Sequence, residues 1–155
     1  MQNFNLNLEE LVAILNAKLS AAVNKELNRK FKSVGLDITT EQWTILSCLA
    51  ENESENSKNL MTQQMLSTYT GKDKASITRL LDSLEKNNLI IRKGDKKDRR
   101  VKIIHLTEAA NKIKKLTEKI ISDTVQMAVQ DITTSDLVTT RNTLLKILEN
   151  FSISF

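Results

Sequence analysis

Residues 73–106 show two hydrophobic periodicities in direct succession, and this change of period restricts the possible folds more than any other feature of the chain. The first part has apolar residues at the three- and four-residue spacing of a helix: Ile77, Leu80, Leu81 and Leu84. The runs "LIIRK" and "VKIIHL" that follow are β-branched, and the polar segment "GDKKDRR" lies between them. The sequence therefore predicts a helix followed at once by a β-hairpin.

A second, shorter helix is predicted immediately before this unit. Thr62 can cap a helix over "TQQMLSTY", and Asp73 can cap the next helix after the turn "TGKDK". Two helices joined by a short Gly-containing turn are typical of a helix-turn-helix, and the hairpin after them would be its wing. Asn87 or Asn88 can take the left-handed conformation that ends the second of these helices.

Long amphipathic segments flank this predicted head on both sides. Near the N-terminus, apolar residues recur at the spacing of a helix, and Gly35 can end that helix, so one long helix is predicted there. Its apolar positions are Leu8, Leu11, Val12, Leu15, Leu19, Val23, Leu27 and Phe31. Thr39 and Gln42 have capping-box spacing, so another helix should start there and bury Trp43, or Ile45, Leu46 and Leu49. Thr107 can cap a further helix, and the C-terminal apolar positions are Ile113, Leu116, Ile120, Ile121, Val125, Leu137, Leu144, Leu145, Ile147, Leu148 and Phe151.

These segments predict a mainly α (α+β) fold with a winged helix-turn-helix head over about residues 39–106. The flanking helices, about residues 8–33 and 107–151, have more apolar surface than the head could cover. A two-fold homodimer would bury it economically, so we expect a single domain over 1–155 with these helices as its dimerisation lobe. The alternative is that the same helices fold back on their own head.

Composition supports a helical globular protein and gives no sign of catalytic or metal chemistry. The chain of 155 residues has no Pro, 3 Gly and 4% aromatic residues. The single cysteine, Cys48, and single histidine, His105, can form neither a disulfide nor a usual zinc cluster. We expect no cofactor, no metal and no enzymatic activity. The N-terminal segment "MQNFNLNLEE" does not resemble a secretory signal, and no apolar run has membrane-spanning length, which predicts a cytoplasmic protein without a membrane partner.

Charge is concentrated in one part of the chain. Between Lys72 and Lys102 eleven basic and five acidic residues give a net charge of +6, whereas the whole chain carries +4 and the remainder therefore −2. A local excess of this kind favours a polyanion-binding surface. The alternative is a solvated charged loop.

Four short motifs then follow one another between Thr62 and Thr107: "TQQMLS", "DKASITRLLDSLEKNNLIIR", "DRR" and "LTE". Their order and spacing resemble the MarR family of bacterial winged-helix transcription regulators, and the resemblance extends from about Leu8 to Phe151. It departs at Asn88, where the family usually has Gly, and at Ala109-Ala110, where it usually has Lys-Gly.

The resemblance implies a homodimer that binds double-stranded DNA at an inverted-repeat operator, usually as a repressor released by a small molecule. The second helix of each helix-turn-helix would enter a major groove, and each wing would lie on the neighbouring minor groove. The DNA-binding residues implied are Lys74, Ser76, Thr78 and Arg79 on the helix and Lys96, Lys97, Arg99 and Arg100 on the wing. Asp82 occupies the position of a wing-supporting acid that can pair with Arg100.

For several residues the sequence also allows a simpler role than the one that the resemblance implies. Arg79 could form a salt bridge instead of contacting DNA, and Asp82 could be a solvated helix acid. Cys48 is expected to be a small buried hydrophobe although some relatives sense oxidants through a cysteine, and Trp43 fits a core position better than a ligand pocket. A dimeric interaction module that has lost DNA binding is the alternative function.

Overall fold

The structure, a computed structural model, describes residues 7–55, 61–95, 98 and 100–151. Its described part contains six helices and one antiparallel two-stranded sheet, which confirms the mainly α class with a hairpin. The chain divides into two compact units, Met1–Thr124 and Val125–Phe155. The elements are α1 (Leu8–Ser33), α2 (Thr40–Glu55), α3 (Gln63–Thr70), α4 (Lys74–Lys86), β1 (Ile90–Gly94), β2 (Lys102–Leu106), α5 (Glu108–Ala128) and α6 (Thr134–Asn150).

Helices α2 to α5 start where the capping residues predict. The Thr39 backbone N–H donates to Gln42 Oε1 at 2.9 Å, and the Gln42 N–H donates to Thr39 Oγ1 at 3.2 Å, which completes the capping box of α2. The side chains of Thr62 and Asp73 cap α3 and α4 by accepting from the backbone N–H groups of Met65 and Ser76. The Ala110 N–H donates to Thr107 Oγ1 at 3.3 Å at the start of α5.

Left-handed residues end two of these helices and form the turn after α1. Gly35 and Gly71 have φ values of +75° and +66°, and Asn88 has a φ of +56° directly after α4. Asn tolerates this conformation better than most residues with a Cβ, so Asn88 fills the position where the family usually has Gly. The chain can therefore turn from α4 into the hairpin without a glycine.

The hairpin is fixed to the head on its buried side. Its register runs from the Ile90 and Leu106 pair to the Gly94 and Lys102 pair. The Ile104 N–H donates to the Met61 carbonyl at 2.9 Å, so the segment before α3 extends the pairing. Ile90 is fully buried, which anchors the base of the hairpin in the core.

The core of the first unit joins every element of the predicted head to the end of α1. It contains Leu27, Phe31, Ile45, Leu49, Leu66, Ile77, Leu81, Leu84, Ile90 and Ile104. Cys48 belongs to this core, and burial, with a smaller contribution from Glu51, raises the pKa of its thiol to about 11. Trp43 packs on the core and its Nε1–H donates to Thr117 Oγ1 at 3.1 Å, which agrees with the predicted core position.

The apolar stripe of α1 is covered along only part of its length. Leu27 and Phe31 are buried by the head, whereas Leu15 and Leu19 are 54% and 58% exposed in the single chain. In the second unit, α6 has its own exposed apolar residues, including Val138, Leu144 and Leu145. Among the described helices none combines the length and apolar character needed to span a membrane.

Candidate nucleic-acid interface

Helix α4 has one buried face and one polar face. Ile77, Leu81 and Leu84 are fully buried and fix the rotation of the helix. Four of the predicted DNA-binding residues consequently lie together on its first two turns outside the core: Lys74, Ser76, Thr78 and Arg79. Lys74 and Arg79 are exposed, and Ser76 and Thr78 are half-buried.

The hydroxyl of Ser76 is part of the helix cap. It donates to Asp73 Oδ2 at 2.7 Å, while the Ser76 backbone N–H donates to Asp73 Oδ1 at 2.9 Å. These hydrogen bonds lower the pKa of Asp73. The side chain of Ser76 therefore helps to start the helix whatever else it contacts.

The hydroxyl of Thr78 has partners on both helices. It donates to the Lys74 carbonyl at 2.8 Å and accepts from Gln63 Nε2 at 2.6 Å. Gln63 is the first residue of α3, so this bond joins the two helices near the predicted DNA-facing surface. Sequence reasoning missed Gln63, although the Thr-Gln pair at the helix start was the available signal.

Lys74 and Arg79 have no ion pair or side-chain hydrogen bond with the described residues that would neutralise their charge. The carboxylates of Asp82 and Glu85 bind Arg92 instead of Arg79. The salt-bridge alternative for Arg79 is therefore not observed within the described part of the chain, and its guanidinium keeps its hydrogen-bond donors for an external partner.

Asp82 pairs with a different arginine from the one expected. Its Oδ1 accepts from Arg92 Nη2 at 2.6 Å, whereas Arg100 pairs with Asp98, at 3.1 Å between Nε and Oδ1. The reason is positional, because β1 starts directly after α4 and brings Arg92 beside the helix, while Arg100 lies eight residues further along the hairpin. The expected pairing of Asp82 with Arg100 is replaced by a pair at the base of the wing.

The cations of the wing differ in availability. Arg100 is 92% exposed, and its hydrogen bond lowers the pKa of its neighbour Asp98. An exposed pair of this kind contributes little and can exchange its partner for a phosphate. Lys93 and Lys102 are exposed and form no ion pair with a described residue. The predicted wing residues Lys96, Lys97 and Arg99 lie outside the described residues.

A helix-turn-helix formed by α3 and α4, followed by an antiparallel hairpin, is a winged helix-turn-helix, and the class of protein that this arrangement defines is the winged-helix regulators. The sequence pattern of the MarR family matches residues 36–101. The chain belongs to the MarR family of transcription regulators.

Solved structures of MarR-type regulators match nearly the whole chain. The transcriptional regulator PA3341 is 30% identical, with a TM-score of 0.74 over 91% of this chain and 98% of that one. The MepR–DNA complex of S. aureus is 24% identical, with a TM-score of 0.78 over 89% and 96%. CouR from Rhodococcus jostii RHA1, bound to p-coumaroyl-CoA, is 21% identical, with a TM-score of 0.72 over 88% and 90%. The last two likenesses concern the fold.

Proposed function

We propose that the protein is a sequence-specific DNA-binding transcription regulator, a cytoplasmic homodimeric repressor that a small ligand releases from its operator. The observation that carries this proposal is the pair of exposed cations on the polar face of α4, Lys74 and Arg79, neither of which forms an ion pair with a described residue. A guanidinium on a helix that fits the major groove is suited to bidentate contact with guanine.

The surrounding charge supports a phosphate-binding role. Several described cations between Lys72 and Lys102 form no ion pair with another described residue: Lys74, Arg79, Lys86, Lys93 and Lys102. Cations of this kind neutralise phosphates and fix the position of a protein on the duplex. MepR, whose fold this chain shares, has been solved with DNA.

A homodimer would cover the exposed apolar residues of α1. Leu15 and Leu19 lie four residues apart on one face and are more than half exposed in the single chain. A two-fold dimer would present two copies of α4, and the DNA target would then be an inverted repeat with half-sites about 10 base pairs apart.

A cleft beside α4 supports release by a small ligand. It has a volume of about 670 Å³ and lies between the end of α1, the start of α2 and the end of α4. Lys32, Asp37, Thr39 and Asn87 contribute polar groups to its wall. An occupant there would contact the helix proposed to bind DNA, and CouR, a protein of the same fold, has been solved with p-coumaroyl-CoA.

The direct test is selection of a binding site from a pool of randomised duplexes, followed by titration of the selected and scrambled DNA. We expect tighter binding to the selected site and weaker binding by Arg79→Ala, whereas Arg141→Ala on α6, which removes the same charge outside the head, should bind normally. The interaction module that has lost DNA binding would instead bind neither duplex at any salt concentration.

A further inference from the structure

The hydroxyl of Thr78 has little capacity left for DNA. A hydroxyl has one proton to donate and two lone pairs that can accept. The proton of Thr78 is directed to the Lys74 carbonyl, and one lone pair accepts from Gln63 Nε2. A base edge could use only the remaining lone pair, unless one of two short hydrogen bonds were broken.

The methyl group of Thr78 is free by comparison. Thr78 is half-buried and its hydroxyl oxygen is bound to two protein partners, so the methyl group is the part of the side chain that these hydrogen bonds leave unused. Thr78 also precedes Arg79 on the polar face of α4. A methyl group at this position can contact only an apolar part of the major groove, and the C5 methyl of thymine is the group that offers one.

We propose that Thr78 is a specificity-determining residue that recognises a thymine in each half-site through its methyl group, with its hydroxyl held by Lys74 and Gln63. The inference rests on the proposed function, because it specifies how α4 distinguishes bases. In this proposal the Thr78 hydroxyl does not recognise a base, and its remaining lone pair plays no part in specificity.

The probe is an operator selected from randomised duplexes by the unmodified protein, in which each thymine is replaced in turn by deoxyuridine. This replacement removes only the C5 methyl and leaves base pairing intact. We expect one position in each half-site at which the loss of the methyl weakens binding about fourfold, the contribution of one buried methyl-sized group. The other thymines should tolerate the replacement.

Two substitutions separate the methyl from the hydroxyl. Thr78→Ser keeps both hydrogen bonds and removes the methyl, so it should bind the thymine and deoxyuridine operators equally. Thr78→Val keeps a methyl and removes the hydroxyl, so it should retain the roughly fourfold preference. Thr139→Ser on α6 is the control, because it also removes only the methyl of a threonine whose hydroxyl donates to the carbonyl four residues earlier, and it should retain the preference.

The opposite pattern would overturn the inference: full affinity and an unchanged thymine preference in Thr78→Ser, or no effect of deoxyuridine at any position. Thermal unfolding of each variant tests whether it is folded, and Thr78→Ser alone decides the question if Thr78→Val does not fold. If the unmodified protein selects no sequence at all, the proposed function fails, and that result is distinct from selection of a site that is indifferent to the thymine methyl.

Discussion

Arg92 on β1 binds Glu85 on α4 through its backbone and its side chain together. The Arg92 N–H donates to Glu85 Oε1 at 3.2 Å, and its Nε donates to Glu85 Oε2 at 2.9 Å. Arg92 also binds Asp82, one turn earlier on the same helix. The base of the wing is thus joined to the helix proposed to enter the major groove.

Arg92→Gln is expected to weaken DNA binding although Arg92 itself is not free to contact phosphate. The substitution leaves Glu85 and Asp82 without their cation and loosens the wing. Because Glu85 is 38% exposed, the loss in unfolding free energy should be small, on the order of 0.5–1 kcal/mol. Affinity measured over a salt series should fall with an unchanged slope of log affinity against log salt. A shallower slope would mean that Arg92 contacts phosphate.

The contact between Arg92 and Glu85 predicts that the free energy of unfolding depends on pH. The hydrogen bond from Arg92 lowers the pKa of Glu85 from its usual 4.5, although burial opposes the shift. The stabilisation of the folded state by ionised Glu85 is therefore complete above about pH 4.5, and it is lost as the pH falls through the lower pKa that Glu85 has in the folded state. The difference in unfolding free energy between the unmodified protein and Glu85→Gln should shrink over that range. A difference that stays constant from pH 7 to pH 3 would contradict the assignment.

The local signals of the sequence predicted the elements of the head well. Thr39, Thr62 and Asp73 cap helices as their types indicate, and Asn88 has the positive φ expected at the end of α4. Each of these depends on residues within a few positions, so sequence spacing contains the information.

Contacts between elements were harder to predict. The pairing of Asp82 with Arg92 depends on how closely β1 follows α4, and the bond from Gln63 to Thr78 depends on the packing of two helices. Neither can be obtained from the periodicity of one segment. The resemblance to relatives suggested Arg100 for Asp82, because it transfers positions in sequence and not side-chain geometry.

The apolar face of α1 predicts a stable dimer. Sedimentation at micromolar concentration should give twice the chain mass of 17.6 kDa. Leu19→Glu places a charge in the exposed stripe, where burial against a second copy would be costly, and should shift the protein toward monomer. Ala21→Glu adds the same charge well away from Leu19 around the helix and should leave the dimer intact. A monomeric unmodified protein would refute the proposed assembly.

Cys48 is expected to be inert toward oxidants. Burial raises the pKa of its thiol to about 11, so almost no thiolate exists at pH 7. Cys48→Ser should leave DNA binding and its response to peroxide unchanged, at a modest cost in stability from a buried hydroxyl. Anisotropy of a labelled operator during peroxide titration measures this. Peroxide-triggered release that disappears in the variant would make Cys48 a sensor.

Substitution of Arg79 and of Arg100 is expected to weaken DNA binding in different ways, because Arg79 lies on α4 and Arg100 lies on the wing. Arg79→Ala should cost on the order of 1–3 kcal/mol on the selected operator and much less on scrambled DNA, since it removes a base contact. Arg100→Ala should weaken both DNAs alike and make the salt slope shallower by about one unit, since it removes one phosphate contact. Both variants are titrated on both DNAs over a salt series, with Arg141→Ala as the control for a lost charge. If Arg79→Ala and Arg100→Ala behave alike, α4 and the wing do not divide base recognition and phosphate binding between them. If both variants bind DNA normally, the basic residues between Lys72 and Lys102 form only a solvated surface.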